Sequence, residues 1–233
     1  MTIPVFYSIS DDFTKYAAVS LNSLVKNSNP ENDYTVIFLN QDLSKEHQDQ
    51  LAALGNDHVH VEFFHIDEKL VKPIQDRKEN YLRADFFTMS IFYRLFIPDL
   101  FPQYDKAIYI DSDTVVTDDI AKLYNTELGN NLFGACTDSS IQYVDKMVKY
   151  IKDVLDLDPK KYINSGMLVL NSKAFRDEGF IPHPDRWTFL SRVKRLSCEN
   201  TEQIADVSPL ILKGFMLLSL DDKVPSSFLY YVG

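Results

Sequence analysis

Residues 107–116 read AIYIDSDTVV, an apolar run that is interrupted by two aspartates. The first four residues, Ala107–Ile110, are all apolar and predict a buried strand. Asp111, Ser112 and Asp113 follow without a spacer. In an open α/β sheet, ligands bind at the carboxyl ends of the strands. The stretch therefore predicts one strand of such a sheet and a candidate site at its end.

The chain before this stretch alternates between strands and helices. Strands are predicted at Ile3–Ile9, Tyr34–Leu39 and Val59–Phe64. Ser44 is predicted to cap the second of two intervening helices, which runs to Leu54. The first helix has a buried stripe at helical spacing, formed by Ala17, Ala18, Leu21, Leu24 and Val25. This strand-helix alternation predicts right-handed crossovers onto a mostly parallel sheet.

A further helix is predicted immediately upstream of the opening stretch. Residues Ala84–Phe96 are apolar on all sides except at Asp85 and Arg94, which indicates a buried helix. Pro98 is expected to end this helix, because proline lacks a backbone N–H and clashes with the preceding turn.

Downstream, strands are predicted at Leu132–Cys136 and Gly166–Leu170, with a helix at residues 144–155 between them. The sequence contains no recognisable repeat or flexible linker. Residues 1–233 are therefore predicted to form a single domain. The predicted class is α/β, with a Rossmann-type, mostly parallel central sheet and flanking helices.

The charge of the chain argues against nucleic acid as a partner. There are 34 acidic and 24 basic residues, which give a formal net charge of −10. Such a surface repels phosphate backbones. The most basic stretch, Arg186–Arg195, reads RWTFLSRVKR and favours an amphipathic surface helix. A site for an anionic ligand or a membrane surface is the alternative interpretation.

The two cysteines, Cys136 and Cys198, do not form a zinc-binding pattern with histidine or a disulfide framework. Reduced thiols of the cytoplasm are therefore expected. The first residues, MTIPVFYSIS, lack the features of a signal peptide, and no apolar run is long enough to span a membrane. The expected location is the cytoplasm, with the inner face of the membrane as a peripheral site.

The aspartates of the opening stretch suggest a metal site. Two ionised carboxylates directly after a buried strand cannot both enter the core without a large desolvation cost. A hard divalent cation such as Mn²⁺ or Mg²⁺ prefers oxygen ligands, and a diphosphate could complete its coordination. We therefore predict that Asp111 and Asp113 bind the metal of a nucleotide-sugar site. A solvated turn is the alternative, because an isolated D-x-D pattern is common.

Three separated segments resemble family 8 of the glycosyltransferases. They are SDDFTKYAAVSLNSL at 10–24, YIDSDTVV at 109–116 and INSGMLVLN at 163–171. The family includes bacterial lipopolysaccharide galactosyl- and glucosyltransferases and glycogenin. The resemblance implies a GT-A fold, a UDP-glucose or UDP-galactose donor and Mn²⁺. It also implies transfer of the hexose, with retention of configuration, to a hydroxyl of a glycan or glycolipid.

The resemblance also implies roles for individual residues. Asp11 would lie near the uracil, Asn164 would bind hydroxyls of the donor sugar, and Asp138 would line the acceptor side. The implied donor-binding residues are Ile9, Ser10, Asp11, Asp12, Arg94, Ser112, Asn164, Ser165 and Gly166. The implied catalytic residues are Asp138, Gln203 and Asp206.

Each of these roles has a structural alternative. Asp11 and Asp138 could be loop or cap residues at strand ends. Arg94 could be an ion-pair partner of Asp85. Residues 164–166 could form a turn without any contact to a donor.

The sequence departs from the family pattern at three places. Phe13 stands where family members usually have an asparagine that contacts the ribose. The family's D-Q-D motif is not intact, and Glu202, Gln203 and Asp206 lie near its expected position. The C-terminal histidine that binds metal has no counterpart, although Tyr230–Gly233 resembles that motif with tyrosine in its place. We therefore expect a truncated form, a metal site with two side-chain ligands, or activity that is weak or lost.

Two other classes remain as alternatives. AIYIDSDTVV also fits haloacid-dehalogenase-like phosphotransferases, in which Asp111 would be the nucleophile, Asp113 the acid/base and Asp221 and Asp222 magnesium ligands. That family places its D-x-D on the first strand of the core, whereas here three predicted strands precede it. The other alternative is a homologue that binds UDP-sugar without turnover.

Overall fold

A computed structural model describes residues 2–70, 93–153, 158–179, 218–219 and 229–231. The strands are β1 (Thr2–Ser8), β2 (Asp33–Asn40), β3 (Val59–His65), β4 (Ala107–Ile110), β5 (Thr114–Val116), β6 (Phe133–Thr137), β7 (Ile163–Leu170), β8 (Leu218–Ser219) and β9 (Leu229–Tyr231). The α-helices are α1 (Thr14–Asn27), α2 (Lys45–Ala52), α3 (Ile97–Leu100), α4 (Ala121–Tyr124), α5 (Asp145–Asp153) and α6 (Ser172–Asp177). Within these ranges, no helix has the length and apolarity that a membrane span requires.

Seven of the described strands form one sheet in the order β3-β2-β1-β4-β7-β6-β8. Strands β3, β2, β1 and β4 run parallel to one another. Strand β7 runs antiparallel to both of its neighbours, β4 and β6, and β6 pairs with β8 in parallel. The prediction of an α/β fold with a mostly parallel central sheet is confirmed.

The central strands are buried on both faces. In β1, Val5 and Tyr7 belong to one core cluster, whereas Phe6 between them belongs to a second cluster on the opposite face. The first cluster includes Leu21 and Leu24 of α1, and the second includes Phe96 next to α3. Because side chains alternate along a strand, a sheet covered on both faces needs continuous apolar strands. This explains why β1 and β4 read as unbroken apolar runs.

Helices α1, α2 and α5 confirm three of the predicted helices, whereas residues 94–96, in the described end of the predicted helix Ala84–Phe96, form a turn. The buried stripe of α1 lies as expected, with Leu21 and Leu24 in the core and Ala18 and Val25 partly buried against it. The side chain of Ser44 caps α2 by accepting a hydrogen bond from the backbone N–H of His47 at 3.3 Å. This helix ends at Ala52, two residues before the predicted end.

The expected role of Pro98 is wrong. Instead of ending a helix, Pro98 lies in the first turn of α3. Proline is accepted there because the N–H groups of a first helical turn have no intrahelical partner. Residues 84–92 of the predicted buried helix lie outside the described residues, as do the end of the predicted helix at 154–155, the stretch Arg186–Arg195 and Cys198. The described cysteine, Cys136, is partly buried.

Two substitutions on α1 test its orientation against the sheet. Leu21 is fully buried, whereas Val19 on the same helix is 48% exposed. Leu21→Ala should lower the free energy of unfolding by about 2–5 kcal/mol, because it leaves a cavity in the core. Val19→Ala should change it by less than about 0.5 kcal/mol. Urea denaturation followed by circular dichroism measures both values, and equal losses would contradict the packing described here.

Candidate functional site

The sheet brings together three segments that are far apart in the sequence. Asp111–Asp113, which we call the D-x-D turn, follows β4. The loop at Ser10–Asp12 follows β1, and Asn164–Gly166 lies at the start of β7. Because β1 and β4 are parallel while β7 runs against β4, two strand ends and one strand start lie at the same edge. The backbone N–H of Asp111 donates to the carbonyl of Gly166 at 2.8 Å. The candidate site is therefore built at the carboxyl edge of the parallel strands, as predicted.

The carboxylate of Asp111 is held by two donors. Its Oδ1 atom accepts a hydrogen bond from the hydroxyl of Tyr109 at 2.7 Å and another from Nη2 of Arg94 at 3.1 Å. Arg94 also donates from Nη1 to the carbonyl of Ser165. Its guanidinium group lies over the ring of Tyr109, 4.2 Å from the centroid. Arg94 thus connects the D-x-D turn to the first residues of β7.

Arg94 thus reaches the D-x-D turn, while its contact with a donor stays a prediction. Within the described residues, Arg94 forms an ion pair with Asp111, and the side chain of Arg94 is only 10% exposed. Asp85, the alternative partner, lies outside the described residues. The pKa of Tyr109 is raised well above its ordinary value, mainly by burial. Tyr109 therefore remains a hydrogen-bond donor to Asp111 at neutral pH.

The environment of Asp113 fits a cation. Burial and then the nearby charge of Asp111 raise the pKa of Asp113 above its ordinary value. Such a shift means that a second negative charge at this turn is unfavourable until a positive charge compensates it. Asp111 and Asp113 together offer the hard oxygen ligands that Mn²⁺ and Mg²⁺ prefer. In the described part of the chain, no three histidine, cysteine or acidic side chains are grouped so that they could hold a metal ion.

The turn itself is closed by the residue that follows it. The hydroxyl of Thr114 donates to the carbonyl of Asp111 at 2.8 Å. Ser112, a predicted donor-binding residue, is 6% exposed, so most of its surface is packed inside the protein. Strand β5 then leads away from the turn and pairs with β9, with Thr114 opposite Tyr231. The backbone of residues 229–231 therefore lies beside the strand that leaves the D-x-D turn.

Asp11 connects the loop after β1 to the start of α2. Its Oδ1 atom accepts hydrogen bonds from the backbone N–H of Ser44 at 2.8 Å and from Nδ1 of His47 at 2.7 Å. These two bonds, in that order, lower the pKa of Asp11. The alternative role of Asp11 as a loop-fixing residue is thus seen directly, while its contact with a base stays a prediction. Sequence reasoning missed His47, whose only signal was its position in the first turn of a predicted helix.

A cavity of about 320 Å³ opens beside this pair of residues, between α1 and α2. Asp12, Lys15 and Gln50 are among its lining residues, together with Asp11 and His47. Neither aspartate of the D-x-D turn lines it. The predicted loop residues Ile9 and Ser10 join β1 to this region, and Ile9 is only 2% exposed.

Asn164, Ser165 and Gly166 lie in β7, so the interpretation of these residues as a turn is wrong. The side chain of Asn164 accepts a hydrogen bond from the backbone N–H of Gly166 at 2.8 Å. The carbonyls of Ser165 and Gly166 bind Arg94 and the N–H of Asp111, respectively. The start of β7 is therefore part of the framework that holds the D-x-D turn.

Asp138 follows β6, which is parallel to β4 through its pairing with β7, so Asp138 also lies at this edge of the sheet. Its carboxylate accepts hydrogen bonds from the backbone N–H and the hydroxyl of Ser140 at 3.0 and 2.6 Å. It therefore caps the 3₁₀ helix at Ser139–Tyr143. A role toward an acceptor stays a prediction. Gln203 and Asp206 lie outside the described residues, as do Glu202, Asp221 and Asp222.

The family assignment follows from comparison with known proteins. A family model described as Glycosyl transferase family 8 matches residues 4–198. The chain belongs to this family. The assignment favours the glycosyltransferase interpretation of the D-x-D turn over the phosphotransferase one.

Individual relatives agree with this assignment. A protein of Haemophilus influenzae named as a glycosyltransferase is 22% identical over 187 residues, covering 80% of this chain and 53% of its own. The WbbM bifunctional glycosyltransferase has a TM-score of 0.63 at 26% identity, covering 78% of this chain and 33% of its own. The galactosyltransferase LgtC, in complex with donor and acceptor sugar analogs, has a TM-score of 0.59 at 21% identity, covering 75% and 60%. These structures show that the fold is GT-A-like. The chain spans about half the length of the curated relatives it matches.

The ion pair at the site should contribute to stability. Arg94→Ala should lower the free energy of unfolding by about 2 kcal/mol, because Asp111 loses its cation and the carbonyl of Ser165 loses a donor. The loss is smaller than for a fully buried pair, since the side chain of Asp111 is 33% exposed. As a control, Lys122→Ala breaks an exposed ion pair with Asp118 and should cost less than about 1 kcal/mol. Equal losses in urea denaturation would show that the Arg94 pair is not structurally important.

Proposed function

We propose that this protein is a metal-dependent, retaining hexosyltransferase. It would transfer glucose or galactose from UDP to a hydroxyl of a glycan or glycolipid acceptor in the cytoplasm, in the synthesis of lipopolysaccharide or another cell-surface glycan. The observation that carries the proposal is the D-x-D turn at the carboxyl edge of the sheet, fixed against the start of β7 in a chain of family 8. The name of LgtC, a galactosyltransferase, is consistent with a hexose donor.

Asp111 and Asp113 are assigned to the metal, Mn²⁺ or Mg²⁺. When bound, the ion would neutralise charge on the diphosphate as UDP leaves. Neighbouring side chains hold one of the two carboxylates, that of Asp111, in a fixed orientation. Tyr109 and Arg94 both bind Oδ1 of Asp111 and so orient the carboxylate that would hold the ion.

Arg94 and the start of β7 are assigned to the donor. The guanidinium group lies between Asp111 and the carbonyl of Ser165, where a second positive charge would face the diphosphate. Asn164, next to Ser165, would bind hydroxyls of the sugar. Residues Ile9, Ser10, Asp11 and Asp12 would contact the nucleoside, since they follow β1 at the same edge.

Catalysis would depend on orientation and electrostatic stabilisation rather than on a covalent intermediate. Holding a donor and an acceptor hydroxyl in a reactive geometry is worth several orders of magnitude in rate. Fixed positive charge at the leaving group adds to this effect. Asp138, Gln203 and Asp206 are assigned to the sugar and acceptor side. Glucose and galactose differ at one hydroxyl, which a single hydrogen-bonding side chain can distinguish.

The metal assignment predicts the behaviour of two variants. Asp111→Asn and Asp113→Asn should each abolish the Mn²⁺-dependent part of UDP binding, measured by isothermal titration calorimetry with Mn²⁺ and with EDTA. Both variants should fold. Asp113→Asn relieves the repulsion between the two carboxylates, whereas Asp111→Asn leaves Arg94 without its anion and should lower the free energy of unfolding. Asp118→Asn removes an exposed carboxylate that follows β5 and should leave metal-dependent binding intact. Metal-dependent affinity that persists in both site variants would exclude these two aspartates as ligands.

The donor assignment predicts a reaction. With Mn²⁺, the protein should release UDP from UDP-glucose or UDP-galactose, and NMR of the transferred sugar should show the same anomeric configuration as in the donor. Binding of UDP without turnover of either donor, across a panel of sugar acceptors, would instead identify a non-catalytic homologue. A beryllofluoride adduct at Asp111 would indicate phosphoryl-transfer chemistry and overturn the proposal.

A further inference from the structure

A chain of buried hydroxyl groups leads from the core to the D-x-D turn. The hydroxyl of Tyr7 in β1 lies 3.0 Å from that of Ser20 in α1, which lies 3.0 Å from that of Thr114. Thr114 in turn donates to the carbonyl of Asp111 at 2.8 Å. The side chains of Tyr7, Ser20 and Thr114 are fully buried. The chain thus connects the central strand, the first helix and the turn without access to solvent.

The direction of the hydrogen bonds follows from the number of protons. Each hydroxyl has one proton, and a carbonyl can only accept. The proton of Thr114 points to the carbonyl of Asp111, so Thr114 must accept from Ser20. The proton of Ser20 is then engaged, so Ser20 must accept from Tyr7. Every proton of the chain is therefore directed toward the turn, and bonds aligned in this way strengthen one another.

The same helix holds β5 at a second position, beyond the turn. The hydroxyl of Ser23 accepts a hydrogen bond from the backbone N–H of Val116 at 2.8 Å. The side chain of Asn27 donates to the carbonyl of Val116 at 2.9 Å. These contacts fix the strand itself, whereas the contact of Ser20 continues through Thr114 into the turn.

We propose that Ser20 and Thr114 are positioning residues for the D-x-D turn. Through the hydrogen bond from Thr114 to the carbonyl of Asp111, they fix the backbone conformation of the turn. This conformation would orient the Asp111 and Asp113 carboxylates toward a divalent cation. This inference rests on the proposed function, because it assumes that the two aspartates bind the metal. It assigns no contact with the metal or the donor to either hydroxyl.

The physical reason is that the hydroxyl of Thr114 fixes the backbone of Asp111 to the first residue of β5. Without the Thr114 hydroxyl, the carbonyl of Asp111 must find another donor, and the two carboxylates lose their fixed spacing. The ion would then have to order the turn as it binds, which weakens its affinity. Binding of the nucleoside at the loop after β1 would not be affected by this disorder.

The test compares two affinities in the same variants. Thr114→Val should weaken UDP binding in the presence of Mn²⁺ by about tenfold, the effect of one lost buried hydrogen bond. It should leave the affinity for UDP in EDTA unchanged. Thr114→Ser keeps the hydroxyl and should restore metal-dependent binding to within about twofold. Ser23→Ala is the matched control, because it removes a hydroxyl from the same helix and should lower stability without changing either affinity.

A second variant distinguishes an effect on the conformation of the D-x-D turn from a general loss of protein stability. The triple replacement Tyr7→Phe, Ser20→Ala and Thr114→Val removes the hydroxyl partners together, so few buried polar groups are left unsatisfied. We expect its stability to lie closer to wild type than that of Thr114→Val, while its metal-dependent binding stays weak. If Thr114→Val does not fold, Ser20→Ala with Thr114 intact tests the same chain, with an expected weakening of about threefold.

The outcomes distinguish this inference from the proposed function. Weakening of metal-dependent and metal-free binding by the same factor, or unchanged binding in Thr114→Val, would overturn the positioning role. If Asp111→Asn and Asp113→Asn lose metal dependence in the same assay, the proposed metal site stands in either case. If those two variants keep metal-dependent binding, the proposed function fails and the positioning role fails with it.

Discussion

The antiparallel pairing of β7 with β4 is the constraint on which the site depends. If β7 were parallel to β4, its end rather than its start would lie beside the D-x-D turn. The observed direction places Gly166 next to Asp111, where their backbones share a 2.8 Å hydrogen bond. It also exposes the carbonyl of Ser165 to Arg94. Among the described strands of this sheet, β7 alone runs against the others, and its direction brings Asn164–Gly166 to the D-x-D turn.

The positive charge of Arg94 is compensated by neighbouring groups of the protein. Arg94 is nearly buried, and a buried guanidinium needs an anion and further acceptors. Asp111, the carbonyl of Ser165 and the face of Tyr109 supply them. Asp113 has a raised pKa because burial and the charge of Asp111 both oppose its ionisation. The site therefore holds one compensated carboxylate beside one that favours a cation, which is consistent with the proposed metal role.

Helix α1 both covers the sheet and supports the site. Its apolar stripe, with Leu21 and Leu24, packs on the core. Its polar residues Ser20, Ser23 and Asn27 bind β5 and, through Thr114, the turn. The close packing of the apolar stripe on the sheet positions these polar groups opposite their partners. Folding and site geometry are therefore coupled through the same element.

The sequence alone determined the local elements and the position of the candidate site. Apolar runs and helical periodicity predicted β1, β2, β3, β4 and α1. The spacing of apolar residues along the sequence indicates which faces of a strand or helix are buried. The position of Asp111 and Asp113 after a buried strand predicted the edge of the sheet. Family motifs implied that Arg94 and Asn164 belong to the donor site, but not the hydrogen bonds that they form within the protein.

Only the tertiary structure decided the contacts between distant residues. The pairing of Asp11 with His47 spans 36 positions, and that of Ser20 with Thr114 spans 94. The role of Pro98 at the start of a helix and the extended conformation of Asn164 also depended on neighbours that local patterns do not identify. Hydrogen-bonding side chains such as His47, Ser20 and Thr114 have the same local signature whether they face solvent or a partner. Their partners are set by strand order and helix packing, and these arise only when the whole sheet has formed.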